Sequence, residues 1–98
     1  MTPRENPIRD QARARARDEL GIPSLLLELR HDRGWPDVVF LVHGGRPVLM
    51  EFKRPGEPLE PLQAYRADQL RKLNYRVVGP VESADVALGF LRDLTWDR

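Results

Sequence analysis

Five consecutive apolar residues, Val38, Val39, Phe40, Leu41 and Val42, leave few folds open to this chain. The run is far shorter than the roughly 20 residues a membrane-spanning helix needs. Its valines and phenylalanine suit a strand, and because it is apolar on both faces it reads as a central strand covered on two sides. His43, Gly44, Gly45 and Arg46 make a tight connection into a second strand, Val48 to Lys53, which completes a β-hairpin.

The rest of the chain arranges itself around that hairpin. From about Glu5 to Leu20 the sequence is rich in helix formers. Glu5, Ile8, Ala12 and Ala16 fall on one side of the helical wheel, with Arg9, Arg13 and Arg17 on a separate stripe. Gly21 and Pro23 end the helix, Leu25 to Leu29 reads as a strand, and a turn-rich stretch from His31 to Pro36 leads to Asp37. Beyond the hairpin, Pro55, Gly56, Pro58 and Pro61 mark a loop. Pro61 suits the first turn of a helix reaching about Leu73, with Leu62, Leu70 and Leu73 as its buried stripe. Tyr75 to Val78 reads as a strand stopped by Gly79 and Pro80. Ser83 is the N-cap of a last helix carrying Val86, Phe90, Leu91 and Leu94. The order is α, β, β, β, α, β, α.

A chain of 98 residues has room for one domain, residues 1–98, and such a domain buries roughly 60 to 70% of its unfolded surface. Hydrophobic residues at 41% and charged ones at 32% are too apolar for a disordered chain. No secretory n-region and h-region follow Met1, and cysteine is absent, so a cytoplasmic setting without disulfides or thiolate metal sites is expected. The 16 Lys and Arg against 15 Asp and Glu give a net charge of +1, which argues against holding nucleic acid by charge alone. The distribution is less even. Residues 66 to 76 carry Arg66, Arg71, Lys72 and Arg76 against Asp68 alone, so one face is more basic than the total.

The hairpin carries the chemistry. Along Val48 to Lys53 the side chains alternate, so Leu49, Glu51 and Lys53 share one face. A turn centred on Gly44 and Gly45 puts Asp37 opposite Glu51 or one step from it, where Cβ atoms are about 5 Å apart. Two like charges so close call for a cation between them, and hard divalent ions such as Mg²⁺ select oxygen ligands. An ammonium such as that of Lys53 can orient the attacking water or stabilise charge on a phosphate, as metal-assisted phosphodiester hydrolysis requires. Glu-x-Lys alone also describes a solvated strand face. The apolar flanks, and the Gly34-Trp35-Pro36 turn ahead of Asp37, favour the hydrolytic site.

Other polar residues have two readings. Trp35 can stack on a base or pack beneath its turn. Arg54, next to Lys53, is a candidate phosphate contact. Arg9, Arg13 and Arg17 on the first helix form either a solvated face or a track along a nucleic-acid backbone. His31 and His43 lie in turns without a partner at metal-ligand spacing.

Gly34, Trp35, Pro36 and Asp37, then Glu51, Phe52 and Lys53, then Leu62 and Gln63, together resemble the VRR-NUC (viral-type replication-repair nuclease) domain, a branch of the PD-(D/E)xK nuclease superfamily. The resemblance runs from Glu5 to about Leu91. It implies a restriction-endonuclease-like α/β fold with a central mixed sheet flanked by helices. By the same resemblance Asp37, Glu51 and the Phe52 carbonyl hold Mg²⁺ or Mn²⁺, Lys53 serves the attacking water, and Gln63 lies near the site. Glu5 matches the acid of the first helix, with Glu19 a rival for that role. A Gln63 that merely borders the apolar stripe is the other reading. The resemblance further implies a homodimer of the stand-alone phage and bacterial type that acts on branched DNA such as four-way (Holliday) junctions. The competing expectation is a non-catalytic module, binding nucleic acid or a partner, that keeps the fold.

Overall fold

The computed structural model describes residues 6–28 and 32–96. The elements are α1 (Asn6–Leu20), β1 (Ser24–Leu26), β2 (Val38–Val42), β3 (Arg46–Phe52), α2 (Pro61–Lys72), β4 (Arg76–Val81) and α3 (Ala84–Trp96), in the expected order. The sheet runs β1-β2-β3-β4, antiparallel except for the parallel β3-β4 pair, so it is mixed as expected. Val38 faces Met50, Phe40 faces Val48 and Val42 faces Arg46, which makes Asp37 and Glu51 the next pair outward. Gly44 and Gly45 at the tip both hold positive φ, which glycine adopts without a Cβ penalty.

The core lies on one side of this sheet. Val38, Phe40 and Val42 of β2 and Val48, Met50 and Phe52 of β3 are buried there with Ala12 and Ala16 of α1 and Ala87, Leu91 and Leu94 of α3. The alanines let α1 and α3 approach each other closely beneath the sheet. Gly21 at positive φ turns the chain out of α1, and the Ile22 N–H bonds the Ala16 carbonyl at 3.0 Å. At the other end of the fold, Ser83 Oγ accepts the Val86 N–H at 3.1 Å and caps α3 as expected.

The second sheet face departs from the sequence reading. Val39 is half-buried and Leu41 is exposed, because α2 packs chiefly against β4 and leaves β2 largely open on that side. Within α2 the buried residue is Ala67, while Leu62 and Leu73 are 42% and 68% exposed, so the expected leucine stripe is not the packed one. On α3, Val86 and Phe90 face outward and Ala87 and Leu88 take their place in the interior. The last strand does not stop at Gly79. It runs through Pro80 to Val81, which an edge strand tolerates because a missing N–H there breaks no ladder bond. β1 is shorter than expected, and Leu29, like His31 and Glu5, lies outside the described residues. No helix among the described residues is long and apolar enough to cross a membrane.

Candidate metal and nuclease site

Asp37 is delivered by a turn that backbone and packing both fix. Gly34 has φ +89°, and a Cβ there would sit 2.5 Å from Leu62 Cγ, so the turn lies tight against α2. Pro36 is buried directly before Asp37. The Asp37 carbonyl accepts the Leu27 N–H at 2.7 Å, and its carboxylate oxygen Oδ2 accepts the Phe52 N–H at 3.0 Å. The acid is thereby tied to the chain on both sides of it in the sheet.

Glu51 and Lys53 lie on the sheet face opposite the core, yet each is only 5% exposed. Gly79 of β4 comes against Glu51 so closely that a Cβ on it would lie 2.9 Å from Glu51 Cβ. That explains a glycine inside the strand. Lys53 follows β3 and still bonds through its N–H to the Val81 carbonyl at 3.0 Å, which extends the parallel pairing one step past the strand. Its ammonium makes no ion pair among the described residues.

Gln63 belongs to this cluster and not merely to the helix surface. Its Oε1 accepts the Glu60 N–H at 2.9 Å at the start of α2, which leaves its amide NH₂ to donate to Glu51 Oε2 at 3.1 Å. The helix cap therefore sets which end of the amide meets the carboxylate. Beside these groups opens a cleft lined by Leu27, Asp32, Arg33, Trp35, Asp37 and Gln63, so the Asp37 and Gln63 side of the site meets solvent.

Two carboxylates and a main-chain carbonyl are hard oxygen donors of the kind Mg²⁺ takes when it keeps several of its waters. Among the described residues no group of three or more His, Cys, Asp or Glu could hold a metal ion. Asp37 and Glu51 thus fit an ion bound through few protein ligands, and do not fit a closed protein cage. Glu5, the expected third acid, lies outside the described residues. Its rival Glu19 is engaged elsewhere. It pairs with Arg15 and with Arg92 of α3 at 2.8 Å each, and the hydrogen bond from Arg15 holds its carboxyl below the usual glutamate range.

The arginines divide by their partners. Arg13 donates through Nε to Ser24 Oγ at 2.9 Å and through Nη2 to the Ser24 carbonyl at 3.3 Å, binding α1 to β1. Arg9 is largely covered, with its Nε 3.5 Å from Asp10. Of the expected stripe only Arg17, paired with Asp18 at 2.9 Å, is well exposed; Arg9 and Arg13 are engaged within the fold. Arg54 is exposed and 3.6 Å from Glu57. Trp35 packs beneath Arg66, whose guanidinium carbon stands 4.5 Å from the ring centroid, and that ring face is closed to a base. In the sequence Arg66 reads only as part of a basic stretch and not as a partner of the turn before Asp37. The signal for it was its spacing of three from Gln63 and four from Leu62, which puts all three at one end of α2.

No family model matches the chain, and no curated protein matches it. Among solved structures, one described as "VRR_NUC domain" superposes with a TM-score of 0.79 at 21% identity, over 93% of this chain and 97% of that one. Strand order, the flanking helices and nearly full mutual coverage agree with what the Gly-Trp-Pro-Asp, Glu-Phe-Lys and Leu-Gln motifs implied, and the protein has the VRR-NUC fold.

Proposed function

We propose that this protein is a Mg²⁺- or Mn²⁺-dependent DNA endonuclease. One observation carries the reading: Asp37 and Glu51 occupy neighbouring positions of one sheet face, each fixed by an amide donor, with Lys53 two residues along the same face. A charged triad of this kind, largely withdrawn from water, costs stability in a protein that does not use it. A bound divalent ion would supply a Lewis acid for the phosphodiester and lower the pKa of the attacking water. Asp37, Glu51 and the Phe52 carbonyl are the residues to hold it. Gln63 keeps Glu51 in place through its amide, and Lys53 presents an ammonium to the water or to the phosphate as negative charge grows there.

The expected substrate is branched DNA such as four-way junctions, met in replication and repair, and the expected working unit is a homodimer. One chain offers one such site, and paired cuts in two strands require two sites related by a twofold axis. Exposed apolar side chains such as Tyr65, Leu73 and Phe90 are available for that contact. Arg54, exposed beside Lys53, would meet phosphates, while Arg9 and Arg13 are engaged within the fold.

The test is a cleavage assay on junction, flap, duplex and RNA substrates with Mg²⁺ and with EDTA. Lys53→Ala and Asp37→Ala proteins that cut as well as the parent would remove the mechanism. A chain that stays monomeric at micromolar concentration while making paired cuts would remove the dimer. The second reading is a non-catalytic module that keeps the fold and binds nucleic acid or a partner. Binding of junctions without Mg²⁺-dependent cleavage would establish that reading.

A further inference from the structure

Arg66 makes more contacts to the turn before Asp37 than any surface role requires. Its guanidinium lies over the Trp35 ring at 4.5 Å, within the range of a cation–π contact. Its Nε donates to the Arg33 carbonyl at 3.4 Å, and Nη2 reaches Asp32 Oδ1 at 3.4 Å. The aliphatic stem passes close to Gly34, where its Cγ would stand 3.1 Å from an added Cβ. One side chain thus touches each residue from Asp32 to Trp35. Each polar contact is long and individually weak. Together, with Nη1 braced on Gln69 at 3.3 Å, they fix the turn against α2.

The same helix reaches the other acid. Gln63, three residues before Arg66, donates to Glu51, and its orientation is set by the Glu60 N–H. Helix α2 therefore grips Glu51 directly and Asp37 through its turn, from two side chains about one helical turn apart. The Phe52 N–H holds the Asp37 carboxylate at one end, and Arg66 adds a second hold on the turn that delivers it.

From this geometry we infer that Arg66 is a positioning residue for the metal site: together with the Phe52 N–H it sets where Asp37 stands against Glu51, and so the affinity for a divalent ion. The inference rests on the metal-dependent reading above. Lysine cannot replace the arginine fully, since an ammonium is a point donor and lacks the planar fork that meets Trp35, the Arg33 carbonyl and Asp32 together.

The experiment measures Mn²⁺ affinity of the full chain by electron paramagnetic resonance, with no DNA present, alongside urea unfolding. Parent, Asp37→Ala, Arg66→Ala and Arg66→Lys proteins are compared. Outer-shell partners that touch a metal ligand are worth 10- to 100-fold in affinity; Arg66 acts one contact further out, through the turn, so Arg66→Ala is expected to weaken Mn²⁺ binding at the low end of that range, by about tenfold, with Arg66→Lys between it and the parent. Asp32→Ala, which removes one exposed partner of Arg66, is expected to weaken binding by a smaller factor, and it decides the matter if Arg66→Ala does not fold. At saturating Mn²⁺ the Arg66→Ala protein should regain kcat, as a defect in metal capture predicts. Unchanged Mn²⁺ affinity in folded Arg66→Ala, with Asp37→Ala impaired, overturns the positioning role and leaves the metal site standing. A decrease of about one in the salt slope of DNA binding at unchanged Mn²⁺ affinity also overturns it, and marks Arg66 as a phosphate contact. A parent that binds no Mn²⁺ overturns both readings together.

Discussion

The Asp37 carboxylate accepts the main-chain N–H of Phe52 at 3.0 Å, so the first acid of the site is anchored to the strand that carries the second. The bond joins β3 to the residue entering β2 just where the paired ladder ends at Val38 and Met50. It serves the sheet and the site at once.

Asparagine and alanine should separate those two duties. Asp37→Asn keeps an oxygen for the Phe52 N–H but loses the charge, whereas Asp37→Ala leaves a partly buried donor without its partner. The alanine variant is expected to lose about 1 to 3 kcal/mol in urea unfolding and the asparagine variant clearly less. Both should lose Mn²⁺ binding. Equal destabilisation by the two substitutions would show that the hydrogen bond does not hold the strand end.

Gly34→Ala tests the turn itself. At φ +89° any L side chain is strained, and the new methyl would meet Leu62 Cγ at 2.5 Å. Strain of this kind costs about 1 to 3 kcal/mol, with overpacking in addition. Adding Leu62→Ala should recover the steric part and leave the backbone part, so the double variant should lie between Gly34→Ala and the parent in thermal stability. A Gly34→Ala protein as stable as the parent would mean that the turn can shift off α2 at little cost.

Glu19 should behave as a structural acid and not as a metal ligand. It bridges Arg15 on its own helix and Arg92 on α3, and Arg15 also reaches Asp85 at 2.7 Å. Its folded-state pKa lies below its ordinary value, chiefly through the hydrogen bond from Arg15. The stabilisation is therefore complete above the ordinary glutamate range and fades as pH falls through the lowered value. Glu19→Gln is expected to lower the melting temperature slightly at neutral pH, since the ions are solvent-exposed and screened, and the gap should close in acid. Mn²⁺ affinity should not change. A Glu19→Gln protein that binds Mn²⁺ less well would return this acid to the site.

Legibility in the sequence followed the range of the physics involved. The hairpin register was readable because two glycines fix the turn and the alternation of Leu49, Glu51 and Lys53 fixes the faces. The neighbourhood of Asp37 and Glu51 followed from that register alone. The buried face of α2 differs from the expected leucine stripe because leucine content does not say which neighbour a helix finds; its buried residue is Ala67, and the helix packs chiefly against β4. Gly79 read as a strand stop, although its lack of a Cβ is needed to admit Glu51. That contact joins residues far apart in the chain, and no local pattern encodes it. Arg66 over Trp35 is of the same kind.

The amide of Gln63 gives the sharpest test of the site. Its oxygen is taken by the Glu60 N–H and its nitrogen by Glu51 Oε2, so it bridges a helix start and a carboxylate in one fixed orientation. Gln63→Glu keeps the first contact, because glutamate at this helix position accepts the same N–H. It turns the second into a meeting of two carboxylates, which cannot both ionise at that distance without cost. The folded-state pKa of the pair then rises above its unfolded value. Relative to the parent, the variant should therefore be least impaired near about pH 5 and lose stability as pH rises through the raised value. In EDTA near about pH 8 the loss should be about 1 to 3 kcal/mol by urea unfolding, the cost of a buried polar group left mismatched. Mn²⁺ should reverse it, since the added carboxylate becomes a further oxygen ligand, and the melting temperature of Gln63→Glu should rise with Mn²⁺ by more than that of the parent. A variant equally stable at both pH values, and indifferent to Mn²⁺, would show that residue 63 and Glu51 do not share a metal site.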